Sequence, residues 1–274
     1  MTDSVVVSIG GSILVPGEND AEFIGKLAQM LKEVSQEVSV SVVVGGGKTA
    51  RYYASNASEL GGSVYDQDIL GIEATRLNAQ LLSLALGDMP KRVPETVEQF
   101  VEARRTKRIP VMGGTEPGHT TDAVSAMIAK AIKADRVVNA TSVDAVYTDD
   151  PRKNPDAKRI ERMTIDELGD IVYKEHGASK SSVFDPMGVG IAKENRIDIL
   201  MVDGRNLEEL RKAILGKPFS GTFVDSHRAG PGPQRSPSRS PGTVLSPLCG
   251  APRASSWTSC AHKQNQCQWP RMPA

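Results

Sequence analysis

Three short β-branched runs near the start of this chain each stop at a cluster of glycines. Val5-Val6-Val7-Ser8-Ile9 stops at Gly10-Gly11. The run 38–44 stops at Gly45-Gly46-Gly47. Ile109-Pro110-Val111-Met112 stops at Gly113-Gly114. Runs so apolar on both faces belong to strands covered on both sides, as in parallel sheets. Between them, apolar residues recur at helical spacing over 23–34, 50–60, 69–86 and, more weakly, 95–105. A helix over 123–134, strands at 136–139 and 197–202, helices at 164–173 and 207–215, and a last strand within 219–224 complete the alternation. This alternation specifies an α/β fold with a mainly parallel sheet. In such sheets ligands lie beyond the carboxyl ends of the strands. Three strands ending in glycine there imply several backbones brought close to a polyanion, because glycine N–H groups can approach phosphate oxygens.

The glycine loops exclude two common nucleotide motifs. Gly45-Gly46-Gly47-Lys48-Thr49 contains the Gly-Lys-Thr of a P-loop, but the glycine required five positions before Gly47 is Val42, inside the strand. Gly45, Gly47 and Ala50, with Asp66 and Asp68 downstream, match the dinucleotide fingerprint. That fingerprint belongs to a first βα unit, and here the first strand carries its own Gly10-Gly11-Ser12. What remains is a cationic helix start, with Lys48 and Arg51 one turn apart behind the glycines.

The third loop, Gly-Gly-Thr-Glu-Pro-Gly-His-Thr-Thr-Asp over 113–122, is the most informative. Thr120 or Thr121 can cap the following helix, and Asp122 suits its first turn. Capping does not explain Thr115, Gly118, His119 and a second threonine. Hydroxyls and free N–H groups before a helix start suit a monoester phosphate. A fourth segment, Thr141-Ser142-Val143-Asp144-Ala145-Val146-Tyr147-Thr148-Asp149-Asp150-Pro151, offers hydroxyls and a flat aromatic wall for a sugar and a base.

Charge is balanced over the 274 residues, with 33 basic and 33 acidic, but it is unevenly placed. Residues 226–274 hold six Lys or Arg and no Asp or Glu, which leaves 27 basic against 33 acidic before them. The mildly acidic body gives no sign of a nucleic-acid surface. All three cysteines lie in that tail, so the body has neither a disulfide framework nor a thiolate metal site, which fits a reducing cytoplasm. The sequence shows no secretory signal pattern and no membrane-length apolar run. The tail is rich in Pro, Ser and Arg and lacks apolar periodicity. It is expected to be a disordered segment, 226–274, following a catalytic domain at 1–225.

Four motifs carry a resemblance over roughly 5–224. They are Val-Ser-Ile-Gly-Gly-Ser (7–12), Val-Val-Gly-Gly-Gly-Lys-Thr-Ala-Arg (43–51), Met-Gly-Gly-Thr-Glu-Pro-Gly-His-Thr-Thr-Asp-Ala (112–123) and Val-Asp-Ala-Val-Tyr-Thr-Asp-Asp-Pro (143–151). In order and spacing they resemble the archaeal uridylate kinases of the amino-acid-kinase superfamily, the third motif being the most specific. The resemblance implies a three-layer α/β/α sandwich and transfer of the γ-phosphoryl of ATP to UMP. It also implies Mg²⁺ and a homohexamer. Matched motif by motif, Gly45, Asp68, Thr115, Glu116, Pro117, Gly118, His119, Thr120 and Thr121 would hold UMP. Gly10, Gly11, Ser12, Gly46, Arg51, Thr141, Ser142, Tyr147 and Asp150 would hold ATP. Catalysis would fall to Lys48, Arg51 and Gly11, with no side chain expected to ligate the metal directly.

The chain departs from the family at two lysine positions. Ser8 stands where many superfamily members carry a lysine, and Gly190 where the family's Asp-Pro-Leu-Ala-Ala-Lys ends; Lys193, one helical turn on, is the nearest replacement. The competing readings are another superfamily kinase, acting on acetylglutamate or isopentenyl phosphate, and a non-catalytic oxyanion store like the molybdate and tungstate storage proteins that resemble this group.

Overall fold

The structure is a computed structural model. It describes residues 3–17, 20–149, 154–176 and 183–227. The chain divides into a compact unit, Met1–Gly232, and a remainder, Pro233–Ala274, which lies outside the described residues. The expectation of a disordered tail therefore falls, from residue 228 onward, outside them as well.

In chain order the elements are β1 (Ser4–Ile9), α1 (Gly11–Leu14), α2 (Asp20–Val34), β2 (Ser39–Val44), α3 (Gly47–Glu59), α4 (Val64–Ala85), α5 (Val97–Thr106), β3 (Val111–Met112) and α6 (Thr121–Ile132). There follow β4 (Arg136–Thr141), β5 (Val146–Tyr147), β6 (Arg159–Ile160), β7 (Arg162–Thr164), α7 (Ile165–His176), α8 (Pro186–Asn195), β8 (Asp198–Asp203), α9 (Leu207–Ile214) and β9 (Thr222–Asp225). Seven strands form one sheet in the order β3-β2-β1-β4-β8-β9-β7. Among the described residues of this sheet only the β8–β9 pairing is antiparallel, and β5 and β6 form a separate antiparallel pair.

The period-2 geometry of each strand divides the core between the two faces of the sheet. Val5, Val7 and Ile9 of β1 pack with α2 and α9, through Ile24, Leu27, Leu31, Leu210 and Ile214. Val6 points the other way, toward Val124 and Ile128 of α6, Leu168 and Val172 of α7, and Val189 of α8. Helices thus cover both faces, giving the three-layer α/β/α sandwich. Ser8 lies on the α6 side of β1, and that places its hydroxyl in the site described below.

Where elements differ from expectation, local chemistry explains it. β3 is confined to Val111–Met112 on the sheet edge. Pro110 has no N–H to pair; its carbonyl still accepts from Val42 N at 3.0 Å. α4 begins five residues earlier than apolar spacing suggests, because Ser63 and Asp66 form a reciprocal capping box. Asp66 is therefore part of the helix cap. α1, the β5–β6 hairpin, β7 and α8 add to the expected elements; Gly188 and Gly190 interrupt the apolar spacing of α8, whose start is fixed by Asp185 capping Met187 N and Gly188 N. Among the described residues, no helix is long and apolar enough to cross a membrane.

Candidate active site

The carboxyl ends of β1, β2, β3 and β4 meet at one edge of the sheet, and their loops interlock there. Gly10 N donates to Ala140 O and Gly45 N to Ile9 O, both at 2.9 Å. Gly11 sits against the Gly45-Gly46-Gly47 backbone so closely that a Cβ would lie 2.5 Å from Gly46 C and nearer still to Gly47 N and Gly45 O. Gly47 has φ +59°, a left-handed conformation that favours glycine. Buried Asn78 of α4 holds the second loop by donating from Nδ2 to Gly45 O (2.9 Å) and Gly46 O (3.3 Å). The sequence gives no direct signal for Asn78, since its partners lie more than thirty positions away.

Two cations stand over these loops. Arg51 Nη2 donates to Ser12 Oγ at 2.9 Å, and Lys48 Nζ to Pro16 O at 2.8 Å. Both side chains are exposed, and neither makes an ion pair among the described residues. Some cations elsewhere are matched to carboxylates, as Arg136 is to Asp3 and Arg162 to Asp225, while others, such as Arg104 and Arg108, donate to hydroxyls or a carbonyl. Unpaired cations beside open glycine amides suit a bound anion.

The third loop, 113–122, closes the other side. A cavity of about 390 Å³ brings together Gly46, Arg51, Asp68, His119 and Thr121, with Glu116, Pro117, Gly118 and Thr120 on the same wall. Thr120 caps α6, accepting from Ala123 N at 3.2 Å, while Thr121 Oγ1 faces Gly45. Asp68 Oδ2 accepts from Gly118 N at 3.0 Å, where Gly118 takes φ +85°. His119 Nδ1 lies 3.5 Å from Thr115 Oγ1 and 3.3 Å from Glu116 Oε1, turned into its own loop. Thr115 is beside this cavity without lining it.

The fourth segment lies past β4. Thr141 ends that strand, and its carbonyl accepts from Gly204 N at 2.9 Å. Ser142 O accepts from Arg205 Nη2 at 3.2 Å. Tyr147 OH donates to Asp144 Oδ1 at 3.1 Å. Burial and this bond to a carboxylate raise the phenol above its ordinary range. Asp150 lies outside the described residues.

The sequence model of the Amino acid kinase family matches residues 3–203, most of the chain. This chain belongs to the amino acid kinase family. It is 46% identical over 225 residues to the uridylate kinase of Pyrococcus abyssi, covering 81% of this chain and 99% of that protein. The crystal structure of uridylate kinase from Archaeoglobus fulgidus is 40% identical with a TM-score of 0.73, over 82% of this chain and all of that one. The UMP kinase of Bacillus anthracis, 20% identical with a TM-score of 0.67 over 83% of this chain and 97% of that one, shares the fold.

Ser8 and Lys193, the residues at and near the two expected lysine positions, both bond to carboxylates. Ser8 Oγ donates to Asp122 Oδ1 at 3.2 Å, joining the end of β1 to the first turn of α6. Lys193, the nearest lysine to Gly190 on α8, has a partner on the neighbouring helix. It pairs with Asp166 of α7 at 2.6 Å, and the space beside Gly190 is open. Asp122 was legible in the sequence only as a first-turn helix residue. Burial pushes its carboxyl up to about 7, against the hydrogen bond from Ser8, and the nearby Asp185 carboxylate adds to the rise.

A carboxyl with a folded pKa above its unfolded value holds its proton more tightly when folded. The resulting cost in stability is absent below about pH 4, grows as pH rises to about 7, and is constant above that. At about 1.4 kcal/mol per tenfold change in proton affinity, it reaches at most about 4 kcal/mol. Asp122→Asn is expected to melt above the unsubstituted protein at pH 8 and level with it at pH 4. A difference that does not change with pH would contradict this assignment.

Proposed function

We propose that this chain is a uridylate kinase, transferring the γ-phosphoryl of ATP to UMP to give UDP and ADP. The observation that carries the reading is the acceptor loop, with Thr120, Thr121 and His119 across the cavity from unpaired Arg51. Uridylate kinases that this chain matches over nearly their whole length support it. Residues 1–225 are the catalytic domain. The Gly10-Gly11-Ser12 and Gly46 backbone holds the ATP phosphates, and Thr141, Ser142, Tyr147 and Asp150 its nucleoside. Gly45, Asp68 and the loop from Thr115 to Thr121 hold UMP.

No strong general base is needed. The UMP phosphate is already anionic near neutral pH, so its oxygen attacks the γ-phosphorus as the bond to the β–γ bridging oxygen breaks and ADP leaves with the electron pair. The chain supplies alignment and charge: Gly11 fixes the loop, and Lys48 and Arg51 offset the charge that builds on the transferred group. Among the described residues, no three His, Cys, Asp or Glu side chains converge to hold a metal. Mg²⁺ bound with ATP would neutralise phosphate charge during transfer. The protein works in the cytoplasm.

The assembly is a homohexamer. What suits an assembly on this chain is that Tyr52 and Tyr53 of α3 and Tyr65, Leu77 and Leu84 of α4 are large apolar side chains left exposed.

The test is ADP release from Mg·ATP with UMP, CMP, dUMP and N-acetylglutamate as separate acceptors, on protein whose mass is measured by light scattering. Turnover with UMP at least about tenfold above the others is expected, from a particle of six chains. A folded protein that binds UMP but turns over none of the four would favour the oxyanion-binding alternative. A single-chain mass would sink the assembly.

A further inference from the structure

Arg76 of α4 stands directly behind the acceptor loop. Its Nη2 donates to Thr115 O at 3.0 Å, and its Nε, at a longer 3.4 Å, to Gly114 O. Its Nη1 is paired with Glu73 at 2.7 Å and Glu95 at 3.4 Å. The side chain is only 17% exposed and does not line the acceptor cavity. With two carboxylates matched to it, this guanidinium has little charge left to attract a phosphate. Its remaining donors are spent on backbone carbonyls.

Those carbonyls fix something else. A trans peptide is planar, with the carbonyl of one residue opposite the N–H of the next. Holding Gly114 O and Thr115 O therefore turns the N–H groups of Thr115 and Glu116 away from Arg76. Neither N–H has an acceptor among the described residues. The neighbouring points of the loop are held from the same helix. Gly114 N donates to Thr75 Oγ1 at 2.5 Å, and Gly118 N donates to Asp68. Three residues of α4 within eight positions thus grip the loop from behind and leave two backbone donors turned away from the helix.

We propose that Arg76 is a positioning residue for the phosphate acceptor, aiming the Thr115 and Glu116 amides without touching the acceptor itself. The identity of that acceptor as UMP rests on the functional reading above; the clamp itself does not.

The test compares Arg76→Met, which keeps the stem and loses every donor, with Arg76→Lys, whose single ammonium cannot span two carbonyls as the planar fork does. Steady-state kinetics are measured with UMP and Mg·ATP, and hydrogen exchange is followed at Gly114 and Gly118 without ligand. In Arg76→Met, kcat/KM for UMP is expected to fall roughly tenfold to a hundredfold, the scale of hydrogen bonds from a charged group. The KM for ATP should stay within about twofold, and exchange should quicken in the acceptor loop alone. Arg76→Lys should recover part of the loss. Unchanged UMP kinetics with unchanged loop exchange would overturn the proposal. So would an equal loss for both substrates with protection lost throughout the fold. If the unsubstituted protein does not phosphorylate UMP, the functional reading fails, and the exchange measurement still decides the clamp.

Discussion

Gly11→Ala is expected to lose at least about a hundredfold in kcat/KM, along with much of the yield of folded protein. The new Cβ would overlap the backbone of three consecutive residues, Gly45, Gly46 and Gly47, rather than the end of a flexible side chain. Overpacking of this kind commonly costs about 1–3 kcal/mol and more where backbone must move. The only relief is to part the β1 loop from the β2 loop. That separates Ser12 from Arg51, which now meet at 2.9 Å. A displacement of about 1 Å at a reacting centre can itself cost about a hundredfold. Gly190→Ala is the control. A Cβ there meets nothing within 4 Å, so the change should be silent in activity and, in a helix interior, add roughly 0.5–1 kcal/mol of stability. Equal behaviour of the two variants would show that the interlocked glycines do not position the site.

The second large effect is at Arg51. It reaches the β1 loop through Ser12 and lines the acceptor cavity, so it stands between the sites assigned to donor and acceptor. Its charge is not matched by any carboxylate among the described residues. Such a cation is most valuable where charge develops during transfer, and removing one such group typically costs about 10²–10³ in rate. Arg51→Ala is expected to lower kcat on that scale while the melting temperature barely moves, since the side chain is exposed and contributes little packing. Arg51→Lys should restore part of the rate, because charge returns but the fork does not. Wild-type kinetics in a folded Arg51→Ala protein would remove Arg51 from the catalytic set.

Much of this molecule is written locally in its sequence. The valine-rich runs of β1 and β2 specify strands, and the alternation of their side chains assigns Val5 and Val7 to one face and Val6 to the other. Glycines at the strand ends mark the edge where ligands are expected, and the Thr-Glu-Pro-Gly-His-Thr-Thr segment is the loop there for which an acceptor role is proposed. Short-range signals suffice for these features because they depend on residues only a few positions apart.

Local signals failed where the partner is distant. Lys193 looked placed to replace a missing lysine, and Asp166 on a neighbouring helix holds it. Asn78, Arg76 and the Ser8–Asp122 pair act across 33, 39 and 114 positions of chain, distances over which periodicity carries no information. The strand order β3-β2-β1-β4 brings Gly11 onto Gly45–Gly47 and lays α4 behind the acceptor loop. The sequence alone determined the principal strands of the sheet, the glycine loops that end three of them, and that helices cover both faces. Only the tertiary structure decided which loops touch and which carboxylates hold which cations, because those contacts follow from strand order, which no single stretch of sequence encodes.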